Sequence, residues 1–416
     1  MTGTDGGRPF ASADPPPRAS VIVVSRGRPD WLSGCLRALM LQDHPAFEVI
    51  VVADPAGLRR TEGLPVKRVA FDRANISAAR NAGLGLAAGV VAAFIDDDAI
   101  AEPDWLRALT APFVDPLVVA AGGAVRGRDG LGWQFRAGWV DATGLAARFD
   151  PGPATRLFAA EDGRTIATIG TNCAFRRDAL AAIGGFDPAF AYHLDETDVN
   201  LRLAATWGLT AVVPGAEVIH AAAASPRRSG ERVTRDLRDI GASSAVFWRK
   251  HAPDAEMAPL IEALTGAQRR RLIGQMLAGR IEPGEVRHAL STLTAGLAEG
   301  AARPLAPLAP IPPAEAAFAP VSVTPRRRVV LTGRRWNQRR LRDEARAAAA
   351  DGAIVTLLML SRTALPHRVR FDPGGWWEQT GGLWGTSHPG LPRPWASRFD
   401  ARCKREIALI PAARRG

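Results

Sequence analysis

The 416-residue chain predicts an α/β fold: a mixed, mostly parallel sheet between helices, then further helices and a small C-terminal β-α-β module. Three observations carry this expectation. Between residues 19 and 110, short apolar runs rich in strand-favouring residues alternate with helical patterns, the order that builds a parallel sheet covered on both faces. The runs end abruptly in polar or acidic residues, as in ASVIVVSRGRPD, FEVIVVADP and VVAAFIDDD. A Pro/Ala-rich stretch, PLAPLAPIPPAEAAFAPVSVTP, separates this part from a second strand–helix–strand pattern.

The elements follow in order. Residues 19–25 read as a strand buried on both faces, since a continuous apolar run of that length needs cover on each side. After a turn, Trp31, Leu32, Cys35, Leu36, Leu39 and Met40 recur at helical spacing. Residues 47–53 and 65–71 predict two more strands, the first ending at Asp54. Residues 75–88 predict a helix with Ser77 as N-cap. Residues 90–95 form the next strand, and Pro103 sits at the first position of the helix after it. A strand over 117–125 precedes a Gly-richer stretch, 126–166. Its Trp133, Phe135, Trp139 and Phe149 fit either a substrate-facing insertion or a small core. A strand over 169–175 and a short helix over 177–183 lead to Gly184-Gly185. After the acidic cluster at 195–198, a helical pattern runs from Val199 through Trp207 and ends at Gly208. Residues 211–214 and 217–220 predict a last strand pair ending at His220. Residues 232–251 and 258–303 are helical by pattern.

The chain thus divides into a loose N-terminus (1–18), an α/β domain (19–251), a helical extension (252–303), a semi-rigid linker (304–325) and an accessory module (326–416). In the last part, RVVLT, a helix over 336–350 and AIVTLLML make one β-α-β unit, a degenerate Rossmann-like pattern. Three widely spaced cysteines, Cys35, Cys173 and Cys403, argue against a disulfide framework and fit a reducing compartment. No apolar run approaches the ~18 residues of a membrane span. The first 18 residues lack the basic start and apolar core of a signal peptide. Cytoplasmic residence is therefore expected. Charge is uneven: residues 321–416 hold 19 Lys/Arg against 7 Asp/Glu, a net of +12, so the front of the chain is near neutral. Five of the eleven tryptophans share that basic module. It is either a solvated surface or one attracted to an anionic partner, including the inner face of a membrane, with nucleic acid disfavoured.

Chemistry concentrates at strand ends, where open α/β sheets bind ligands. Asp96, Asp97 and Asp98 follow a strand without a spacer. Adjacent carboxylates repel, and oxygen donors suit Mg²⁺ or Mn²⁺, so a cation site competes with a solvated acidic turn. Asp54, the Asp195–Asp198 cluster and His220 lie at other predicted element ends, and Arg80 lies on the helix before the acidic strand. A cation, a basic group and a spare carboxylate in one crevice suit a nucleotide-diphosphate substrate.

Residues 19–251, about 60% of the chain, resemble a family-two glycosyltransferase of the GT-A fold, inverting in mechanism. The resemblance rests on five stretches in order: SVIVVSRGRPDWLSGCLRAL, FEVIVVAD, NISAARNAGL, AFIDDDAIAEPDWL and GTNCAFRRDALAAIGGFDPAF…LDETDVNLRL. It implies transfer from a nucleotide sugar to a hydroxyl acceptor, a surface polysaccharide or glycolipid precursor. It places Asp54 at the nucleobase, Ser25 at base and ribose, Arg80 near the phosphates, and Asp96 and Asp97 with the donor. Asp98 and Asp96 are implied on a Mn²⁺ or Mg²⁺ ion, with His220 either a third ligand or structural. Gly170 and Asn172 are implied to floor the acceptor side, and Gly185, Phe186 and Asp187 to form the turn that shapes it. The family usually shows Glu-Asp with Asp as base; here the pair is Asp195-Glu196, and Val199 and Arg202 downstream align Glu196 with the base. Asp195 or Asp198 could serve instead, or could cap the helix that follows. His44 and His193 have weaker claims to a role. Arg227 and Arg228 either close over the diphosphate or are solvated. The C-terminal unit faintly resembles the opening of a GT-B domain. Competing readings are a nucleotidyltransferase, disfavoured because no Gly/Lys-rich phosphate loop follows the first strand, and a basic binding protein with an inactive front domain.

Overall fold

The computed structural model describes residues 6–206, 208–223, 233, 235–388, 390 and 397–415. Arg227, Arg228 and the end of the helix pattern at Trp207 lie outside these.

The principal sheet is mixed. Ala19–Ser25 pairs in parallel with Phe47–Ala53 on one side and Val91–Asp96 on the other, and Lys67–Ala70 extends it in parallel. Asn172–Arg176 then inserts antiparallel between Val91–Asp96 and Val118–Arg126. Leu209–His220 runs parallel to Val118–Arg126. The expected pair over 211–214 and 217–220 is thus one strand. Pro214 and Gly215 interrupt its sequence pattern, but they only shift the register between Val213 and Glu217. Both sheet faces are closed. One is covered by Pro29–Leu39 and Trp105–Thr110, with Leu32, Leu36, Trp105 and Leu106 fully buried. The other is covered by Ile76–Leu84, Arg177–Ala182 and Asp195–Ala204 over Phe94, Phe175 and Phe186.

Two boundaries differ from expectation for local reasons. Asn75, not Ser77, caps Ile76–Leu84: its Oδ1 accepts from Ala78 N at 2.9 Å, while Ser77 Oγ donates to Phe190 O at 2.6 Å. Pro103 precedes the helix, which begins at Trp105. Residues 126–166 fold into short strands, including a three-stranded sheet of Gly138–Asp141, Ala146–Arg148 and Arg164–Ile166. Trp139 and Phe158 there pack edge to face at 5.6 Å. Within the N-terminal stretch, Arg8–Pro9 pairs with Arg156–Phe158.

Three helices follow: Arg238–His251, Met257–Leu277 and Pro283–Ala302. Residues 304–325 form no helix or strand, as their prolines require. They do not hang free. Ile311 N donates to Ala181 O at 3.0 Å, Ala319 N to the buried carboxylate of Glu48 at 2.9 Å, and Val321 N to Phe47 O at 2.8 Å. The segment is a strap along the front domain.

Beyond it, Arg328–Arg334 and Ile354–Ser361 pair in parallel around Gln338–Ala350, the β-α-β unit the sequence predicts. Trp376–Gly382 adds in parallel and Arg368–Asp372 in antiparallel. This module is fused to the front domain. Ile219, Ile354, Val369 and Trp377 share one apolar cluster, and Arg414 pairs with Glu102 at 2.7 Å with both side chains buried. No helix among the described residues is long and apolar enough to cross a membrane.

Candidate functional site

The acidic triplet leaves Val91–Asp96 at its carboxyl end, and each carboxylate goes its own way. Asp96 is partly exposed and accepts from Thr171 Oγ1 at 2.7 Å. Asp97 is buried, accepts from Ser25 Oγ at 2.7 Å and pairs with Arg28 at 2.5 Å. Burial pushes its carboxyl up to about 7, with Arg28 pulling down and Asp98 pushing further up. Asp98 is buried and accepts from Ala223 N at 2.6 Å, with Arg28 Nη1 at 3.3 Å. Burial alone would raise it; His220, Arg28 and the Ala223 N–H outweigh that and hold it well below the usual carboxylate range.

Strand register brings His220 to the triplet. It pairs with Ala99 in the antiparallel ladder between Leu209–His220 and Ala99–Ala101. Its Nε2 lies 3.3 Å from Asp98 Oδ1 and 4.0 Å from Asp96 Oδ2. Gln134 Oε1 stands 3.1 Å from Nδ1 and accepts its proton, which leaves Nε2 to face the acids. One donor atom each from Asp96, Asp98 and His220 fall within 4.8 Å of one another. Two carboxylate oxygens and one imidazole nitrogen, each carboxylate steadied by a neighbouring donor, fit Mn²⁺ or Mg²⁺.

Arg80 joins this group to the second cluster. Its buried guanidinium forms a short ion pair with Asp195 and lies 3.7 Å from Asp96, over the Phe186 ring at 5.1 Å. Burial would lower its proton affinity; the charges of Asp195 and Asp96 more than compensate. Gly170 is required beside it, because a Cβ there would strike the guanidinium. The Asp195–Ala204 helix is entered through His193 and Leu194, both in the left-handed region at φ 74° and 63°. Such backbone is sparsely populated for these residue types and aims the first turn. Glu196, its second residue, has a carboxyl raised to about 8 by burial and by the negative charge of Asp195.

The remaining carboxylates are occupied. Asp198 receives Arg202 at 2.6 Å, Lys250 at 2.7 Å and His251 at 2.8 Å. Burial would raise it, but these partners hold it at about 2. Asp187 takes Lys250 at 2.7 Å and Ala189 N at 2.9 Å. The Gly184-Gly185 turn that precedes it needs φ of 80° and 69°, and Asn81 clamps the backbone of Phe186 with two hydrogen bonds. Asp54 caps Pro55–Arg59 through Gly57 N at 2.7 Å and accepts from Gly27 N at 2.5 Å. Its partial burial would raise it; the N–H groups of Gly57, Gly27 and Ala56 hold it below the usual range.

Asn172 does not line the cleft. Its amide is spent inside: Nδ2 donates to Ala124 O and Ala216 O, and Oδ1 accepts from Trp105 Nε1 at 2.8 Å. Its neighbour Thr171 is the residue that touches Asp96. His44 is remote, bonded to Thr110 Oγ1 at 3.1 Å and lowered to about 4 by burial. His193 is exposed and contributes its backbone turn. Sequence reasoning passed over Arg28, Thr171 and Gln134. Arg28 carried a signal, since it lies in the turn directly after the first strand; Gln134, in an irregular stretch, carried none.

A model of the family described as glycosyltransferase like family 2 matches residues 16–242, more than half of the chain. A glucosyl-dolichyl phosphate glucuronosyltransferase of Haloferax volcanii is 33% identical over 188 residues, covering 41% of this chain and 56% of its own length. The chain therefore spans little more than half of that relative. Among solved structures, a mannosyltransferase from Pyrobaculum calidifontis in complex with GDP-Man and Mn²⁺ is similar at 18% identity and a TM-score of 0.44, over 71% of this chain and 89% of that one. GalNAc-T7 with UDP, GalNAc and Mn²⁺ is similar at 16% identity and a TM-score of 0.43, over 57% of this chain and 49% of that one.

Proposed function

We propose, from the premise that the chain belongs to the glycosyltransferase like family 2, that it moves a sugar from a nucleotide-diphosphate sugar to a hydroxyl, with inversion at the anomeric carbon. The observation that carries this reading is the Asp96–Asp98–His220 donor set joined through Arg80 to the helix start that bears Glu196. Asp96, Asp98 and His220 would hold Mn²⁺ or Mg²⁺, which supplies positive charge to the departing diphosphate.

This chain's own residues divide the remaining work. Arg28 and Arg80 bring guanidinium charge to the donor phosphates, the geometry that suits bidentate phosphate binding. Ser25 and Asp97 fix Arg28 from beneath. Asp54 shapes the turn through Gly27, and so the wall against which base and ribose rest. Glu196 takes the acceptor hydroxyl's proton as that oxygen bonds the anomeric carbon and the sugar–diphosphate bond breaks on the opposite side. A carboxyl near 8 is a stronger base than an ordinary glutamate, and burial first, then the charge of Asp195, makes it so. Asp198 and Asp187 brace the helix and the turn instead of reacting. The Haloferax relative is named for a dolichyl-phosphate-linked glucose; a glycolipid or surface-polysaccharide precursor is the acceptor class we assign here.

Thermal shift with nucleoside diphosphates tests the donor half. Stabilisation should need nucleotide and Mn²⁺ together, and Asp98→Asn should remove it. Equal stabilisation without the ion would sink the metal assignment. A product that keeps the donor's anomeric configuration would sink inversion.

A further inference from the structure

The module fused to the front domain creates a feature that donor chemistry does not use. A groove of about 2420 Å³ runs between the Pro29–Leu39 helix, the turn at 127–134 and the module's Arg368–Asp372 strand. That volume is well above the roughly 300–1,000 Å³ of a small-molecule site, so an occupant would be extended. One end is formed by Gln134 and Ala221, which bond His220 and the backbone of Asp98 respectively. The groove therefore borders the residues that hold His220 and Asp98 in place.

Its walls are cationic. Eight arginines line it against three carboxylates. The acids do not neutralise them. Glu378 is shared between Arg342 at 2.8 Å and Arg370 at 2.7 Å. Arg37, Arg335 and Arg368 are exposed and have no carboxylate partner among the described residues. Exposed indole faces stand among these charges: Trp31 is 44% and Trp133 36% exposed, the latter with the Arg126 guanidinium 3.9 Å above its ring. Guanidinium groups recognise phosphate and carboxylate, and flat aromatic faces carry sugar rings. The site is recessed between two fused parts, where a planar bilayer cannot enter.

We infer that this groove holds the anionic body of an extended glycan, a chain bearing phosphate or carboxylate groups, while its reacting hydroxyl lies beyond the metal site. The assignment of that glycan as the acceptor rests on the function proposed above; the groove's preference for anionic glycans does not.

The test is calorimetric binding to the full chain. The probes are phosphorylated mannan oligosaccharides and oligogalacturonates, with neutral dextran fragments and single-stranded RNA as competitors. Anionic oligosaccharides should bind, weaken as salt rises and weaken at least tenfold in the triple variant Arg37→Gln, Arg335→Gln, Arg368→Gln. The same variant should keep its stabilisation by nucleoside diphosphate and Mn²⁺. Each single variant should show part of the loss, which covers the case in which the triple variant misfolds. Equal binding of neutral dextran, tighter binding of RNA, or undiminished binding by the variants would overturn the inference. So would capture of the anionic oligosaccharide only when it is attached to a polyprenyl phosphate. Loss of the nucleotide response with glycan binding intact would instead count against the donor assignment alone. With a working acceptor, the triple variant should raise KM and leave kcat unchanged.

Discussion

The Asp96–Asp98 and Asp195–Asp198 clusters are alike on paper, each a short acidic run at the tip of an element, and they are put to opposite uses. In the first run the flanking acids share a donor set with His220 while the middle one is buried under Ser25 and Arg28. In the second, the flanking acids are tied to cations: Asp195 to Arg80, Asp198 to Arg202, Lys250 and His251. Glu196 between them has a raised proton affinity. A carboxylate's role follows from the cations around it, and apart from Arg202 on the same helix those of the second run come from helices more than 50 residues away.

Mutation can break this comparison. The largest effect should follow Glu196→Gln, which keeps shape and removes basicity: kcat should fall by roughly 10²–10⁴, with little change in thermal stability or in donor binding. Full turnover in that variant would move the base elsewhere. Asp198→Asn should behave in the reverse way. It leaves Arg202, Lys250 and His251 facing a neutral amide in a buried site, a loss of about 3–5 kcal/mol read as a lower denaturation midpoint, with turnover retained by the folded fraction. Its pH dependence has a definite sign. Because the folded Asp198 sits at about 2, below its unfolded value near 3.9, it stabilises the fold above that unfolded value and ceases to as pH falls toward 2. The acid-unfolding curve of the Asn variant should lack that contribution. The smallest effect is a sharpening. If Glu196 titrates near 8, kcat/KM should rise about tenfold per pH unit on the acid side and level off above it. A limb near 4–5 would mean that Asp195 does not control its neighbour.

Much of the front domain was legible because apolar runs announce buried strands, and acids placed at their carboxyl ends announce a crevice. The strand-end positions of Asp96, Asp98 and His220, which the structure brings together, were read this way. What lay beyond reach was pairing at a distance. Nothing in the sequence around Asn172 says that Trp105 Nε1 will claim its amide. Nothing near Gln134 says that it will orient His220. The last long strand was misread as two because Pro214-Gly215 breaks its alternation, while the neighbouring strand absorbs the irregularity. The proline-rich segment read correctly as lacking regular structure, yet composition cannot reveal the surface it lies on. Glu48, buried with no exposed side-chain surface, is the partner that decides it.

The Arg414–Glu102 pair has a consequence for selectivity. To part the groove's walls, the molecule would have to pull that ion pair out of its pocket and bring Ile354, Val369 and Trp377 into water. These contacts resist widening of the aperture. On the inference drawn above, a groove held in this way would favour slender chains over branched ones.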